Sequence, residues 1–418
     1  MIDANAQPAR ARNVEAIVDY FKSGIKDVNT PGALGVEVEH FVVTDNLEPV
    51  AYSQEHGVRW ILEQLSSDFP DITRNDSGSI LGVAKPSQAV TIEPAAQLEL
   101  SAGPYEAIGE IRIEFEQFQR KVSHLLQPHG LKLVAVGYHP TATASELELI
   151  PKQRYKFMDE HFQQIGPYGR RMMRGTAATQ ISIDYYSESD CLSKMRVASA
   201  LSPLFALLCD NASVFEGAPR PHRMMRTEIW RECDPARCGI VPDLMDPSFT
   251  LEDYANYILD TPAIFKIDDD GSSIATDLTF GELYASSTMS TPEVEHALSM
   301  FFNDVRLKRY IEIRPADSMP IPFVTAYAAL IKGLFYDREN LNHLIELTAS
   351  IKNDDIEQAK RELTEQGFDA VMYDMKASEL ALQLFEWAHD ALASNERNYL
   401  SPLNQLARVR RTLADMAS

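Results

Sequence analysis

Alternation of apolar and polar positions marks the strands of this chain, because side chains at i and i+2 share one face of an extended backbone. The pattern predicts strands at Ala33–Thr44, with Val36, Val38 and Phe41 as apolar members, and at Ile80–Val83, Ala89–Leu100, Leu131–Tyr138, Ala177–Tyr185 and Val305–Arg314. Asp76-Ser77-Gly78 reads as a turn ahead of the second of these. Apolar residues at helical spacing predict helices at Asn13–Ile25, Val58–Leu65, Glu106–Leu126 and Asp190–Asn211. A helical C-terminal segment follows over residues 321–418, with helices at Phe323–Tyr336, Asp355–Glu365, Ala377–Ala393 and Leu403–Met416. Strands and helices interleave without regular β-α-β spacing, which predicts an α+β fold with an antiparallel sheet. No repeat or low-complexity linker divides the chain. The polar run Asp268-Asp269-Asp270-Gly271-Ser272-Ser273 reads as an exposed loop, so residues 1–418 are expected to form one domain.

The position of the acids on these strands carries the chemistry. Glu37 and Glu39 alternate with Val36 and Val38, so both carboxylates face one way. Gln97 and Glu99 alternate with Leu98 and Leu100, and Glu93 stands before Pro94, which bends or edges the strand. Thr179-Gln180-Ile181-Ser182-Ile183-Asp184 repeats the pattern, and Glu312 shares a face with Arg314 between Ile311 and Ile313. For one such strand a solvated face is the plainer explanation. Repeated on separate strands, with acids almost alone among β-branched residues, the pattern predicts mutual repulsion and raised pKa values unless a cation sits among the carboxylates. Oxygen ligands of this kind suit magnesium or manganese, with phosphate oxygens completing the shell.

Charge and composition narrow the partners. The formal net charge of -22 and pI of about 4.9 argue against nucleic acid or an anionic membrane as the main partner. Local basic clusters remain: Lys152 to Arg154, Arg170-Arg171 with Arg174, Arg223 with Arg226, and Arg306 to Arg309. Arginine suits bidentate capture of carboxylate or phosphate, although at least half of these side chains are expected to serve solubility alone. On a helix, Arg226 and Trp230 would share a face. Cys191, Cys209, Cys233 and Cys238 lack the spacing of a metal or redox motif and are expected to be reduced thiols. No apolar run of transmembrane length is expected, and Asp3 and Glu15 do not suit a signal peptide, so the expected location is cytoplasmic. The chain has no Walker-type loop, G-x-G-x-x-G or G-x-S-x-G, and His40, His139 and His222 read as structural.

Six blocks resemble the glutamate–cysteine ligase family of plant and bacterial type, in family order: LGVEVEHF from Leu34, TIEPAAQLELS from Thr91, PKQRYKFM from Pro151, MMRGTAATQISID from Met172, MRTEIWRECDPARCG from Met225 and VRLKRYIEIRPAD from Val305. The resemblance implies a glutamine-synthetase-like catalytic fold, a curved antiparallel sheet backed by helices. It also implies ATP-dependent ligation of the glutamate γ-carboxylate to the amine of cysteine through a γ-glutamyl phosphate. By position, Glu37, Glu39, Glu93, Glu99, Gln180 and Glu312 would match metal-site residues for Mg2+ or Mn2+. Arg154, Arg226 and Trp230 would match the glutamate pocket, and Arg314, with Glu312, the catalytic centre at the transferred phosphate. ATP, glutamate and cysteine are thus the expected small-molecule partners. The chain departs from plant members at Ala177 and Ala178, where they carry threonine and cysteine, at Ser182 for asparagine and at Pro315 for glycine. The alanines and Arg237-Cys238-Gly239 look closer to actinobacterial members that supply γ-glutamylcysteine for ergothioneine. These changes fall on the acceptor side. A ligase using another amine, or a non-catalytic homologue binding ATP and glutamate, therefore stays open beside the cysteine ligase.

Overall fold

The computed structural model describes residues 6–268 and 271–417. Asp3, and Asp269 and Asp270 of the polar run, lie outside the described residues. The framework is one antiparallel sheet of strands β1 (Leu34–Thr44), β2 (Asp71–Arg74), β3 (Ile80–Lys85), β4 (Gln88–Ile92), β5 (Leu98–Tyr105), β6 (Leu131–Val134), β7 (Ala178–Ile183), β8 (Val305–Leu307) and β9 (Ile311–Asp317). Their order is β8-β9-β7-β1-β5-β4-β3-β2, and β6 pairs with the far end of β1. Register shifts bend the sheet between Leu34 and Val36, between Ile313 and Ala316, and between Thr73 and Arg74. Pro315 sits inside the second of these irregularities, where its missing N–H costs no ladder bond.

Register fixes which side chains share a face. Val36 is opposite Ala102 and Ile181, Val38 opposite Leu100 and Thr179, and Ile313 opposite Ile181. These residues form the rear face, closed by helices Ile108–Leu126, Glu188–Leu208 and Ile321–Phe335. Glu37, Glu39, Glu99, Gln180, Ser182 and Glu312 necessarily project from the front. Phe41 shares parity with Glu37 and Glu39 and packs at the end of the front face with Val43 and Ala177. His40 takes the rear position instead, with Nδ1 3.3 Å from the Leu98 carbonyl oxygen.

Two predicted strands are hairpins. Period-two alternation runs unbroken through Ala89–Leu100, but the chain reverses where Glu93 N–H donates to the Gln97 carbonyl at 2.9 Å and Ala96 adopts φ 64°. The run Val305–Arg314 likewise reverses through Lys308 and Tyr310. Leu131–Tyr138 leaves the sheet after Val134. The helices Gln153–Gln164, Met225–Arg231, Leu251–Asp260, Thr291–Leu298 and Arg338–Thr348 and strand β2 are not among the predicted elements. Contrary to the sequence expectation, Glu188–Leu208 is long and apolar enough to cross a bilayer. Here it is wrapped by protein, and Lys194 is satisfied by Asp190 at 3.0 Å and the Asp184 carbonyl at 2.9 Å. In the C-terminal segment, Ile321–Phe335 packs on β1 and β7 and receives Ala377–Ala391 and Ser401–Arg408 on its outer side, so one apolar cluster runs from Ile17 to Ala407.

The rear face should carry stability without chemistry. Ile181→Ala, deleting a fully buried side chain between sheet and helices, is expected to cost about 2–5 kcal/mol of unfolding free energy in urea titration. A loss below about 1 kcal/mol would contradict this packing.

Candidate active site

The front face forms the floor of a cavity of about 320 Å³. It gathers every residue singled out for chemistry: Glu37, Glu39, Glu93, Glu99, Arg154, Gln180, Arg226, Trp230, Glu312 and Arg314. Cross-strand pairing explains the convergence. Glu39 lies opposite Glu99, which lies opposite Thr91, and Glu37 lies opposite Gln180. Glu93 joins them from the β4–β5 turn rather than from a strand.

The acidic side is short of compensating charge. Glu39 and Glu99 are 9% and 8% exposed. Glu39 accepts the Ala178 backbone N–H at 2.9 Å, and Glu99 accepts the Thr91 hydroxyl at 2.7 Å. Gln180 Nε2 bridges Glu37 and Glu39 at 3.2 and 3.4 Å. Burial, followed by the Glu93 charge, pushes the Glu39 carboxyl up to about 8. Burial and then the Glu312 charge raise Glu37, and burial with Glu37, Glu93 and Glu39 raises Glu99 well above the ordinary range. The sequence expectation of mutual repulsion is met in space.

The other side is cationic. Glu312 is 1% exposed and holds Arg306 Nε at 2.6 Å, Lys308 Nζ at 2.7 Å and Arg314 at 3.4 Å. Burial alone would raise this carboxyl, but Arg306, then Lys308 and Arg314, outweigh it and hold it far below the usual range. Glu312 therefore differs from the free ligand expected of it: both oxygens are engaged by cations. Arg314 also reaches the Gln180 side-chain oxygen. Its guanidinium is lowered to about 10 by burial and the nearby Arg306.

At the third wall stand unsatisfied donors. Helix Met225–Arg231 places Arg226 and Trp230 on one face, with the Arg226 guanidinium 5.3 Å from the Trp230 ring centre. Arg226 has one weak bond, Nε to the Arg314 carbonyl at 3.4 Å, and the indole N–H of Trp230 is buried without a partner. Arg154, at the start of Gln153–Gln164, bonds Ser299 at 3.3 Å while its Nε is buried and unpaired. Buried donors without acceptors cost free energy, which an anionic ligand would recover.

Glu37 joins this cavity to a second one of about 590 Å³. There, small residues of four strands (Gly35, Ala89, Ser101 and Ser182) leave a flat floor, flanked by Lys26, Lys85, Arg309 and Tyr310. The sequence reading missed this cavity, whose signal was the run of residues too small to fill the sheet's front. It also missed Tyr155, Met158, Met172, Met173, Ser299 and Phe302 of the main cavity, which no local pattern marks. Ala177 and Ala178, expected near an acceptor, are fully buried and line neither cavity; Ala178 acts through its N–H on Glu39. His139 is structural as expected, its Nδ1 accepting the Ala142 N–H at 3.0 Å. All four cysteines are free and buried. Among the basic clusters, Arg170 and Arg174 pair with Asp159 and contribute no lining.

Opposite stability effects should separate the two sides of the site. At pH 8 and without divalent ions, Glu39→Gln is expected to stabilise the protein by about 1 kcal/mol or more, since one pH unit of displaced titration corresponds to about 1.4 kcal/mol. Glu312→Gln leaves buried cations uncompensated and should destabilise it by about 3–5 kcal/mol. Thermal melts of both variants check this, and effects of the same sign would contradict the charge division.

The model of the family described as glutamate-cysteine ligase family 2 (GCS2) matches residues 33–416. The chloroplastic glutamate–cysteine ligase B of Oryza sativa subsp. japonica is 28% identical over 386 residues, covering 90% of this chain and 77% of that protein. The chloroplastic enzyme of Arabidopsis thaliana is 28% identical over 412 residues, covering 96% and 78%. The solved structure of glutamate–cysteine ligase from Francisella tularensis in complex with AMP superposes with a TM-score of 0.59 at 13% identity, covering 93% of this chain and 84% of that one. At that identity the likeness concerns the fold, and the expected glutamine-synthetase-like architecture, an antiparallel sheet backed by helices, is the one found. The family match runs from the start of β1 to the last helix and takes in every strand of the acidic sheet face: the chain belongs to the glutamate–cysteine ligase family 2.

Proposed function

We propose that this protein joins the γ-carboxylate of glutamate to the amine of cysteine at the expense of ATP, giving γ-glutamylcysteine, ADP and phosphate. The observation that carries the reading is the charge layout of the front face. Buried carboxylates short of cations stand beside a cationic cluster, with a wall of unpaired donors opposite and a second cavity joined through Glu37. The AMP named with the Francisella tularensis ligase, and the family itself, support ATP as the co-substrate.

The residues divide the work. The second cavity would take the nucleoside, and the phosphate chain would pass Glu37 toward Lys308, Arg306 and Arg314, whose positive charge suits the γ-phosphoryl group. Arg226, Arg154 and the Trp230 indole N–H would bind the substrate carboxylate and hold the γ-carboxylate in line for attack on that phosphoryl group. The glutamyl phosphate would then be attacked by the amine, with loss of phosphate. Tyr155, Met158, Met172 and Met173 give the cavity a soft, apolar wall suited to a thiol side chain.

The donor set fits a hard divalent cation. Among the described residues no group of three ligating side chains is packed tightly enough to cage an ion. Magnesium ordinarily takes one or two carboxylates and completes its shell with water and substrate phosphates. Glu39 with Glu99 and Glu93, and Glu37 with Gln180, offer such pairs. Glu312 would join them once phosphate draws Lys308 away from it. The ion would supply charge neutralisation at the phosphates and relieve the carboxylate repulsion. The acidic charge, the buried free thiols and the enclosure of Glu188–Leu208 support a cytoplasmic setting, and the continuous apolar cluster supports one catalytic unit, residues 1–418.

The direct test is ATP hydrolysis with magnesium and glutamate against a panel of amines, with products identified by mass spectrometry. Cysteine should give γ-glutamylcysteine faster than any other amine; preference for another amine would move the acceptor assignment, and no amide at all would overturn the proposal. Glu37→Gln should abolish turnover while remaining folded. Arg226→Ala should raise the glutamate KM by about 10- to 100-fold, the worth of a charged hydrogen bond at about 1.5–3 kcal/mol, with the ATP KM little changed. Equal rises would count against its placement.

Magnesium binding should be linked to protons. In the ion-free folded protein Glu39 keeps its proton up to about pH 8, against an ordinary value of about 4.5. The folded state thus binds more protons than the unfolded chain across that window, and its stability falls as pH rises. Magnesium requires the ionised form, so the rise in Tm on adding it should be larger at pH 8.5 than at pH 6.5. A pH-independent rise would place the ion elsewhere.

A further inference from the structure

A buried ion network ties the helix Asn353–Gln366 to the wall of unpaired donors. Lys360 Nζ lies 2.8 Å from Asp304 Oδ2 and 2.6 Å from Glu357 Oε1, and its side chain is 2% exposed. The second oxygen of Glu357 faces Arg231 Nε at 3.6 Å, while Arg231 also bonds Glu228 at 2.8 Å. Arg231 ends the short helix that carries Arg226 and Trp230. Asp304 is equally well connected: its carbonyl accepts the Arg314 backbone N–H at 2.9 Å, its own N–H donates to Gly239 at 3.0 Å, and its carboxylate accepts the Ser202 hydroxyl at 3.3 Å. It stands two residues after Phe302, whose ring lies 5.7 Å from that of Trp230. One charged network therefore holds both the helix bearing Arg226 and the backbone bearing Arg314.

Neither Lys360 nor Glu357 lines the cavity, so neither touches a substrate. A lysine removed from water is costly unless its partners are fixed. Burial would lower the Lys360 ammonium, but Asp304, followed by Glu357, more than compensates and keeps it charged. Asp304 also places negative charge near Arg226, after Glu39 and Asp317. The helix is only seven residues long and the network grips its last residue, Arg231, one position after Trp230, and an error of about 1 Å at a substrate-positioning group costs on the order of 100-fold.

We propose that Lys360 and Glu357 are positioning residues for glutamate: through Asp304 and Arg231 they fix the separation between the Arg226–Trp230 helix and the strand backbone at Arg314. This rests on the reading of that wall as the glutamate pocket. The prediction is selective. Loosening the network moves the Arg226–Trp230 helix against strand β9 and weakens glutamate binding, while the nucleoside cavity, which neither Arg314 nor Asp304 lines, is left as it was and continues to set ATP affinity.

The test compares wild type with Lys360→Met and Glu357→Gln. Steady-state kinetics would be measured for glutamate, ATP and cysteine. Glutamate affinity would also be measured by calorimetry, with magnesium and a non-hydrolysable ATP analogue. Both variants should raise the glutamate KM and Kd at least about tenfold while the ATP KM stays within about twofold. A drop in Tm with an unchanged glutamate KM and Kd, or equal rises for glutamate and ATP, would reduce the network to a structural brace and overturn the proposal. Should Lys360→Met fail to fold, Glu357→Gln, whose side chain is 31% exposed, carries the same comparison. Wild-type protein that binds glutamate but forms no amide would overturn the ligase reading alone, and the calorimetric comparison would still decide the network.

Discussion

Like charges buried on one sheet face are the constraint around which this molecule is organised. Glu37, Glu39 and Glu99 are fixed at their mutual distances by β-pairing register, not by attraction, and the sheet cannot relax them apart without breaking ladder bonds. Burial and proximity both oppose their ionisation. Such a face persists only where the rear of the same strands supplies a compensating gain. Leu34, Val36, Val38, Leu98, Leu100, Ile181, Ile183, Ile311 and Ile313, all within 1% of complete burial, supply it. The apolar rear thus holds in place an acidic front whose carboxylates repel one another.

The same strand geometry separates roles along the face. Glu312 sits on β9 beside β8, the strand carrying Arg306, so its carboxylate is saturated by cations. Glu39 and Glu99 sit two and three strands away from β9, where the nearest hydrogen-bond donors are neutral: a backbone N–H, a threonine hydroxyl and an amide. A ligand bearing both phosphate and divalent metal complements this division better than either component alone. In the proposed reaction, the unpaired donors of Trp230 and Arg154 would define where a carboxylate substrate meets it.

How much of this was legible in the sequence follows from the range of each signal. Strand alternation is local, so the front-facing acids and the antiparallel α+β class could be read directly. Hairpin reversals at Glu93–Gln97 and Lys308–Tyr310 were not, because alternation continues with the same parity on both sides of the turn. Phe41 shares the parity of Glu37 and Glu39, and its place in a small apolar cluster with Val43 and Ala177 depends on Ala177, far away in sequence. The engagement of Glu312 by Arg306 and Lys308 is a cross-hairpin fact that no linear spacing announces. The second cavity is written in what is missing, small side chains on four strands, a signal visible only after those strands are placed side by side.

The central claim is that the cavity transfers the ATP γ-phosphoryl group to the glutamate side chain before the amine arrives. It is tested most directly with glutamate carrying oxygen-18 in its γ-carboxylate, followed by mass analysis of the phosphate released during turnover with cysteine. The account predicts one labelled oxygen in each phosphate, because the attacking carboxylate oxygen leaves with the phosphoryl group. Unlabelled phosphate accompanying γ-glutamylcysteine would contradict it.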